Sequence, residues 1–111
     1  MLFYNIIDET TCEVTSGEDD PEYRYEGSVT IPDYVISTYE KDGPVWLQVV
    51  GIGAEAFFGQ NLQEIILPEE TGYIEDRAFW GCKELYSIKL PHSLYYIGKE
   101  VFSGNEAKGL N

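Results

Sequence analysis

Leu67-Pro68 returns as Leu90-Pro91, 23 residues on, and the same offset relates Leu62 to Leu85, Ile65 to Ile88, Tyr73 to Tyr96 and Ile74 to Ile97. A second block, Ala-Phe-aromatic-Gly, stands at Ala56-Phe57-Phe58-Gly59 and Ala78-Phe79-Trp80-Gly81, and recurs as Val101-Phe102-Ser103-Gly104. Ile52, Ile74 and Ile97 each precede their phenylalanine by five residues. A period of this length describes stacked units, because one unit cannot bury its own apolar face and a neighbour can. Within a unit, Leu85 to Leu90 ends in the alternation of a half-buried strand. Pro91 then removes the next ladder donor. Tyr95-Tyr96-Ile97 offers a second short extended piece, and Glu100 to Gly104 reads as one tight helical turn that plugs Phe102 into the interior.

The chain has 111 residues, enough for a single domain with one core. Its organisation divides into 1–50, N-terminal strands and a hairpin; 51–104, repeats; and 105–111, a C-terminal tail. Tyr4 to Asp8 and Thr11 to Thr15 read as a strand pair, and Gly27 to Pro32 as the first ladder strand. Ile52 follows Pro32 by 20 positions, whereas Ile74 follows Pro68 by 6. The extra 14 residues read as a hairpin, Tyr34–Thr38 with Val45–Val50, turning at Lys41-Asp42-Gly43-Pro44 and shielding the open end of the stack.

The pattern L-x-x-I-x-L-P, a spaced isoleucine and A-F-x-G-C resembles the BspA-type (Treponema-type) leucine-rich repeats. Ile74 to Leu94 carries it nearly throughout, departing at Glu75, where the family has glycine; Gln60 stands where the cysteine would be. The resemblance implies a leucine-rich-repeat solenoid of about 23-residue units. It would be a strand-rich α/β fold with short helical turns and an N-terminal β-hairpin cap. It also implies a bacterial protein at the cell surface or secreted, a non-enzymatic binding module of adhesion type with a protein or glycan ligand, host matrix proteins among the candidates. Met1 to Glu9 lacks the basic start of a signal peptide, which leaves a cytoplasmic home open. The alternative is a structural segment of a longer array, or a self-associating unit with no separate ligand. After Gly104 no further Leu-Pro strand appears before Asn111, so the C-terminal edge is expected to be bare, and a homodimer through it is one expectation.

Acids outnumber bases 20 to 7, for a net charge of -13. Such a field repels phosphate backbones and anionic headgroups, which argues against nucleic acid and membrane surfaces as partners. No apolar run reaches the roughly 18 residues of a membrane span. The charge is concentrated early, with 11 acids against 2 bases in residues 1–44.

The motifs that could carry chemistry each meet a plainer reading. Gly51-Ile52-Gly53-Ala54-Glu55-Ala56 satisfies the dinucleotide pattern G-x-G-x-x-A after a strand, with Glu69 and Glu70 near the ribose-binding position. The repeat register defeats it, since Ile74 to Phe79 and Ile97 to Phe102 fill the same place without paired glycines. His92, the one histidine, sits beside Ser93 without an orienting acid, which suits an exposed loop. Cys12 and Cys82 match no metal spacing and are placed too far apart for a disulfide. Glu18-Asp19-Asp20-Pro21-Glu22 lacks the spaced ligands and central glycine of a calcium loop. No catalytic set, metal or cofactor is expected.

The aromatics are the better candidates. Tyr73 and Tyr96 should stack in one column with Tyr95 and Tyr86 nearby, and Phe58 and Trp80 in another beside Phe57 and Phe79. Exposed rings are favoured at binding hot spots, although aligned rings can also simply cover one another's edges. Thr30, Ile66 and Lys89, with Ser28, Glu64 and Ser87, should line one ladder face. The candidate ligand face is therefore Tyr73, Tyr96, Tyr95, Tyr86, Ile66 and Lys89.

Overall fold

The computed structural model describes residues 1–38 and 43–105. Nine strands follow in chain order: β1 (Phe3–Ile6), β2 (Thr11–Thr15), β3 (Glu26–Thr30), β4 (Tyr34–Ser37), β5 (Val45–Ile52), β6 (Asn61–Ile66), β7 (Tyr73–Ile74), β8 (Ser87–Lys89) and β9 (Tyr96–Ile97). They form two sheets. One has the order β1-β2-β5-β7-β9, with β4 also paired to β5; the other has the order β3-β6-β8. The repeat produces the parallel ladders: β6 pairs with β8 and β7 with β9, each residue opposite its copy one period on. Leu62, Ile65, Leu67 and Ile74 point into a shared core with Ile31, Leu47 and Ile52.

Each coil thus contributes a strand to one ladder, turns at its proline, adds a short strand to the other ladder, and closes through the aromatic segment. The strand pair β1–β2 and the hairpin β4–β5 form at the expected places. The tip residues Lys41 and Asp42 lie outside the described residues, as does 106–111 of the tail.

The expected helical turns are corrected: no helix occurs among the described residues, and the fold is built of strands and turns. In the aromatic segment alternate N–H groups have different destinations. Those of Ala56, Phe58 and Gln60 bond three residues back, to the carbonyls of Gly53, Glu55 and Phe57. Those of Glu55, Phe57 and Gly59 leave for the next coil, reaching the carbonyls of Asp76, Ala78 and Trp80 at 3.0, 2.8 and 2.7 Å. Arg77, Phe79 and Gly81 repeat this toward Lys99, Val101 and Ser103. A helix would send every N–H four residues back within its own segment. Left-handed backbone at both ends of the segment prevents that: φ is 56°, 55° and 53° at Glu55, Arg77 and Glu100, and 69°, 72° and 74° at Gly59, Gly81 and Gly104.

The phenylalanines this segment aims inward stack face to face. Phe57 and Phe79 lie 5.3 Å apart and within 4° of parallel, and Phe79 and Phe102 5.9 Å apart within 11°. At the N-terminal end Tyr25 meets Phe57 edge-on at 5.3 Å, Tyr23 meets Tyr25, and Phe3 meets Tyr23. Closure of that end is therefore shared. The inward residues of β2, Cys12 and Val14, are buried against the core. The Tyr23 hydroxyl donates to the Ala56 carbonyl at 2.7 Å, and Gln60, standing at the cysteine position, accepts the Tyr25 N–H at 2.9 Å. The β4–β5 hairpin adds Leu47 and the half-buried Val35 and Val45 to the core, while Tyr34, Ile36 and Trp46 face outward.

Candidate functional site

The six candidate residues lie on two different ladders. Ile66 and Lys89 are partners across β6 and β8, continuing Thr30 of β3, so Thr30, Ile66 and Lys89 form one outward column. Ser28, Glu64 and Ser87 form the column beside it, with the Ser28 hydroxyl donating to Glu64 at 2.8 Å. Both columns are those expected. Tyr86 precedes β8 and is exposed.

Tyr73 and Tyr96 pair across β7 and β9, on the other sheet. Tyr73 is already engaged. Its ring covers Gly51, where any Cβ would collide with it, and its hydroxyl donates to the Glu13 carboxylate on β2. Burial first, and then the Glu13 carboxylate, push the Tyr73 phenol well above its ordinary range. Asn5 of β1 donates to the same carboxylate at 3.2 Å. The contact clamps three strands together, and Gly51 of the G-x-G motif is the gap that admits the ring. Gly53 likewise lets its N–H reach the Val14 carbonyl at 2.7 Å. Tyr95 is 78% exposed, with one ring edge over Gly72.

A cleft of about 760 Å³ opens on the β6–β8 side. Ile66 and Leu90, both more than 40% exposed, give it an apolar floor. Glu64, Glu69 and Glu70 enter it from one coil, and Lys89 and His92 from the next. Leu90 and His92 were missing from the sequence-derived face. Leu90 is exposed where its counterpart Leu67 is buried, a contrast that the repeat register, which equates the two, does not show. A second concavity, lined by Phe3 and residues 15–20, is a shallow polar loop surface.

The remaining candidates are structural. Cys12 and Cys82 are separate buried thiols; Cys82 donates to the Phe57 carbonyl at 3.0 Å, and burial pushes both thiols up to about 11. Phe58 and Trp80 stack at 4.6 Å, within 11° of parallel. Among the described residues, no three His, Cys, Asp or Glu side chains gather in a way that could hold a metal ion. No helix among them is long and apolar enough to cross a membrane.

A family model described as a BspA type leucine rich repeat region, in six copies, matches residues 48–111. The chain belongs to the BspA-type leucine-rich repeat family. Solved structures agree. A leucine-rich repeat protein from Bacteroides ovatus is 33% identical with a TM-score of 0.73, over 93% of this chain and 25% of its own. One from T. pallidum is 28% identical with a TM-score of 0.71, over 93% of this chain and 42% of its own. A leucine rich cell surface protein from Faecalibacterium prausnitzii is 20% identical with a TM-score of 0.64, over 91% of this chain and 27% of its own. This BspA-type chain therefore spans a quarter to under half the length of these proteins. The curated proteins contain no match to it. The matched family is one of repeats, and no catalytic family is indicated.

Proposed function

We propose that this chain is a non-enzymatic binding module of adhesion type, displayed on a bacterial cell surface, that grips a protein ligand in the β6–β8 cleft. The observation that carries the reading is the cleft itself, an exposed apolar floor of Ile66 and Leu90 between carboxylates on one coil and Lys89 and His92 on the next. An apolar centre with charged margins is the anatomy of a protein-recognition patch. Three carboxylates against one lysine select a partner that brings an apolar side chain flanked by basic groups. The F. prausnitzii relative is described as a cell surface protein, which supports the location.

Tyr96 and Tyr95 belong to a separate surface and are given no part in this grip; Tyr73 serves the strand clamp. The test is binding of the purified chain to immobilised fibronectin, fibrinogen and a glycan panel. Saturable binding to a protein, abolished by Ile66→Glu and weakened by Lys89→Glu while the melting temperature holds, is the expected result. Binding that ignores both changes moves the site elsewhere, and silence at high micromolar chain rejects the reading.

A further inference from the structure

We propose that a small cavity between the β2–β3 connection and the first aromatic segment is a binding site for a primary alkylammonium group. The cavity measures about 180 Å³ and is lined by Ser16, Glu18, Tyr23, Glu55 and Phe58. It shares no residue with the β6–β8 cleft, so it is a second site, independent of the grip proposed there. The 23-residue period does not mark it, because Ser16, Glu18 and Tyr23 come from the connection that precedes the first ladder strand.

The walls are held before any ligand arrives. Gly17 lies under the Phe3 ring, where any Cβ would collide with it, and the chain then turns, the Asp20 N–H donating to the Gly17 carbonyl at 2.8 Å. The Ser16 hydroxyl accepts the Glu18 N–H at 3.2 Å, and the Asp20 carboxylate accepts the Glu22 N–H at 2.8 Å. Tyr23 is fixed along its length: its ring meets Phe3 and Tyr25 edge-on, and its hydroxyl donates to the Ala56 carbonyl. On the facing segment, Phe58 lies against Trp80 and keeps 39% of its surface exposed. The Glu55 backbone is tied to the next coil through its N–H, which reaches the Asp76 carbonyl at 3.0 Å. A site ordered in advance loses little entropy on capture.

The chemistry of the walls selects the ligand. Glu18 has no basic partner among the described residues, and Glu55 has a loose one, the Arg77 Nε at 3.6 Å. Arg77 is drawn closer to Glu100, at 3.0 Å, and does not line the cavity. Two carboxylates beside two aromatic rings attract a cation, and residues 1–44, with 11 acids against 2 bases, extend that field. A bare calcium ion is a poor match, since it takes about six or more oxygens and the rings supply none. Both carboxylates and the Ser16 hydroxyl can accept, which meets the three donors of a primary ammonium, while the rings cover its methylene stem. At about 180 Å³ the cavity falls below the roughly 300 Å³ at which whole ligands are enclosed, so it takes the end of a chain.

The test is NMR titration of the full chain with n-butylammonium, following the Glu18, Tyr23 and Phe58 signals. Saturable shifts at these residues are expected, with n-butanol and tetramethylammonium weaker by at least about tenfold. Glu18→Gln should weaken binding about tenfold while the melting temperature holds, because it removes one charge-assisted bond from an exposed position. Arg77→Gln should tighten binding by releasing Glu55 from its competing base. Spermidine and Nα-acetyl-lysine amide then present the same group as a free polyamine and as a protein side chain, and the tighter of the two names the source. Tetramethylammonium bound as well as n-butylammonium overturns the proposal, as does an affinity indifferent to Glu18→Gln or weakened by Arg77→Gln. No saturation at tens of millimolar probe overturns it too. Ile66→Glu should leave the titration unchanged, so the cleft and this cavity can fail separately.

Discussion

Tyr73 shows what pattern alone leaves out about one side chain. Its period with Tyr96 is visible in the sequence, and the two do pair. What the period cannot show is that β2 and β5 run beside them, bringing Glu13 and Gly51 into the same row. Tyr73→Phe is expected to cost about 1 to 2 kcal/mol in chemical denaturation, because it leaves a partly buried carboxylate short of a donor. Tyr96→Phe should stay within roughly 0.5 kcal/mol, as surface changes do. Equal losses at the two positions would mean that the Glu13 contact contributes nothing. Tyr23 and Tyr25 were illegible for a related reason: they lie outside the repeated register, so nothing in the periodicity marks them as the cover of Phe57.

Among the elements, the ladders were legible and the aromatic segment was not. Alternation and proline placement fixed both outward columns of β3, β6 and β8, down to the partners Ile66 and Lys89. Ala-Phe-Phe-Gly reads as a helical turn because local bonds three residues back are common to both structures. The difference lies in the other N–H groups, whose acceptors are 20 or more residues away. Only the neighbouring coil decides between them. Phe79, at the centre of the stacked rings, reports on this arrangement. Phe79→Ala should cost about 3 to 5 kcal/mol in denaturant unfolding. A loss under about 1 kcal/mol would show that the ring is not an interior plug. Of the residues lining the cleft, Ile66 and Lys89 belong to the face expected from sequence, and Leu90 and His92 do not.

For the molecule as a whole, buried acids of weak strength set an alkaline limit. Burial raises the Tyr4 and Tyr25 phenols to about 12, from an ordinary value of 10.0, and the Cys12 and Cys82 thiols to about 11, from 9.0. The folded chain therefore holds these protons where the unfolded chain releases them, and stability must fall with rising pH across that interval. Their contribution is complete below pH 9 and is lost progressively between pH 9 and 12. Denaturation midpoints measured from pH 8 to 12 should decline accordingly, and a flat profile would contradict the burial of these four groups. Cys12→Ala with Cys82→Ala should remove the lower part of the decline.

The alternation of N–H groups between coils also governs how the chain bears load. Every coil beyond the first is held by its predecessor through two ladders, the outgoing bonds of the aromatic segment and stacked rings. A pull along the stack meets these attachments one coil at a time. Each release frees about 23 residues, or roughly 80 Å of extended chain. Tension then dissipates in steps while the aromatic cover at the N-terminal end stays folded. A stack built this way yields before it snaps.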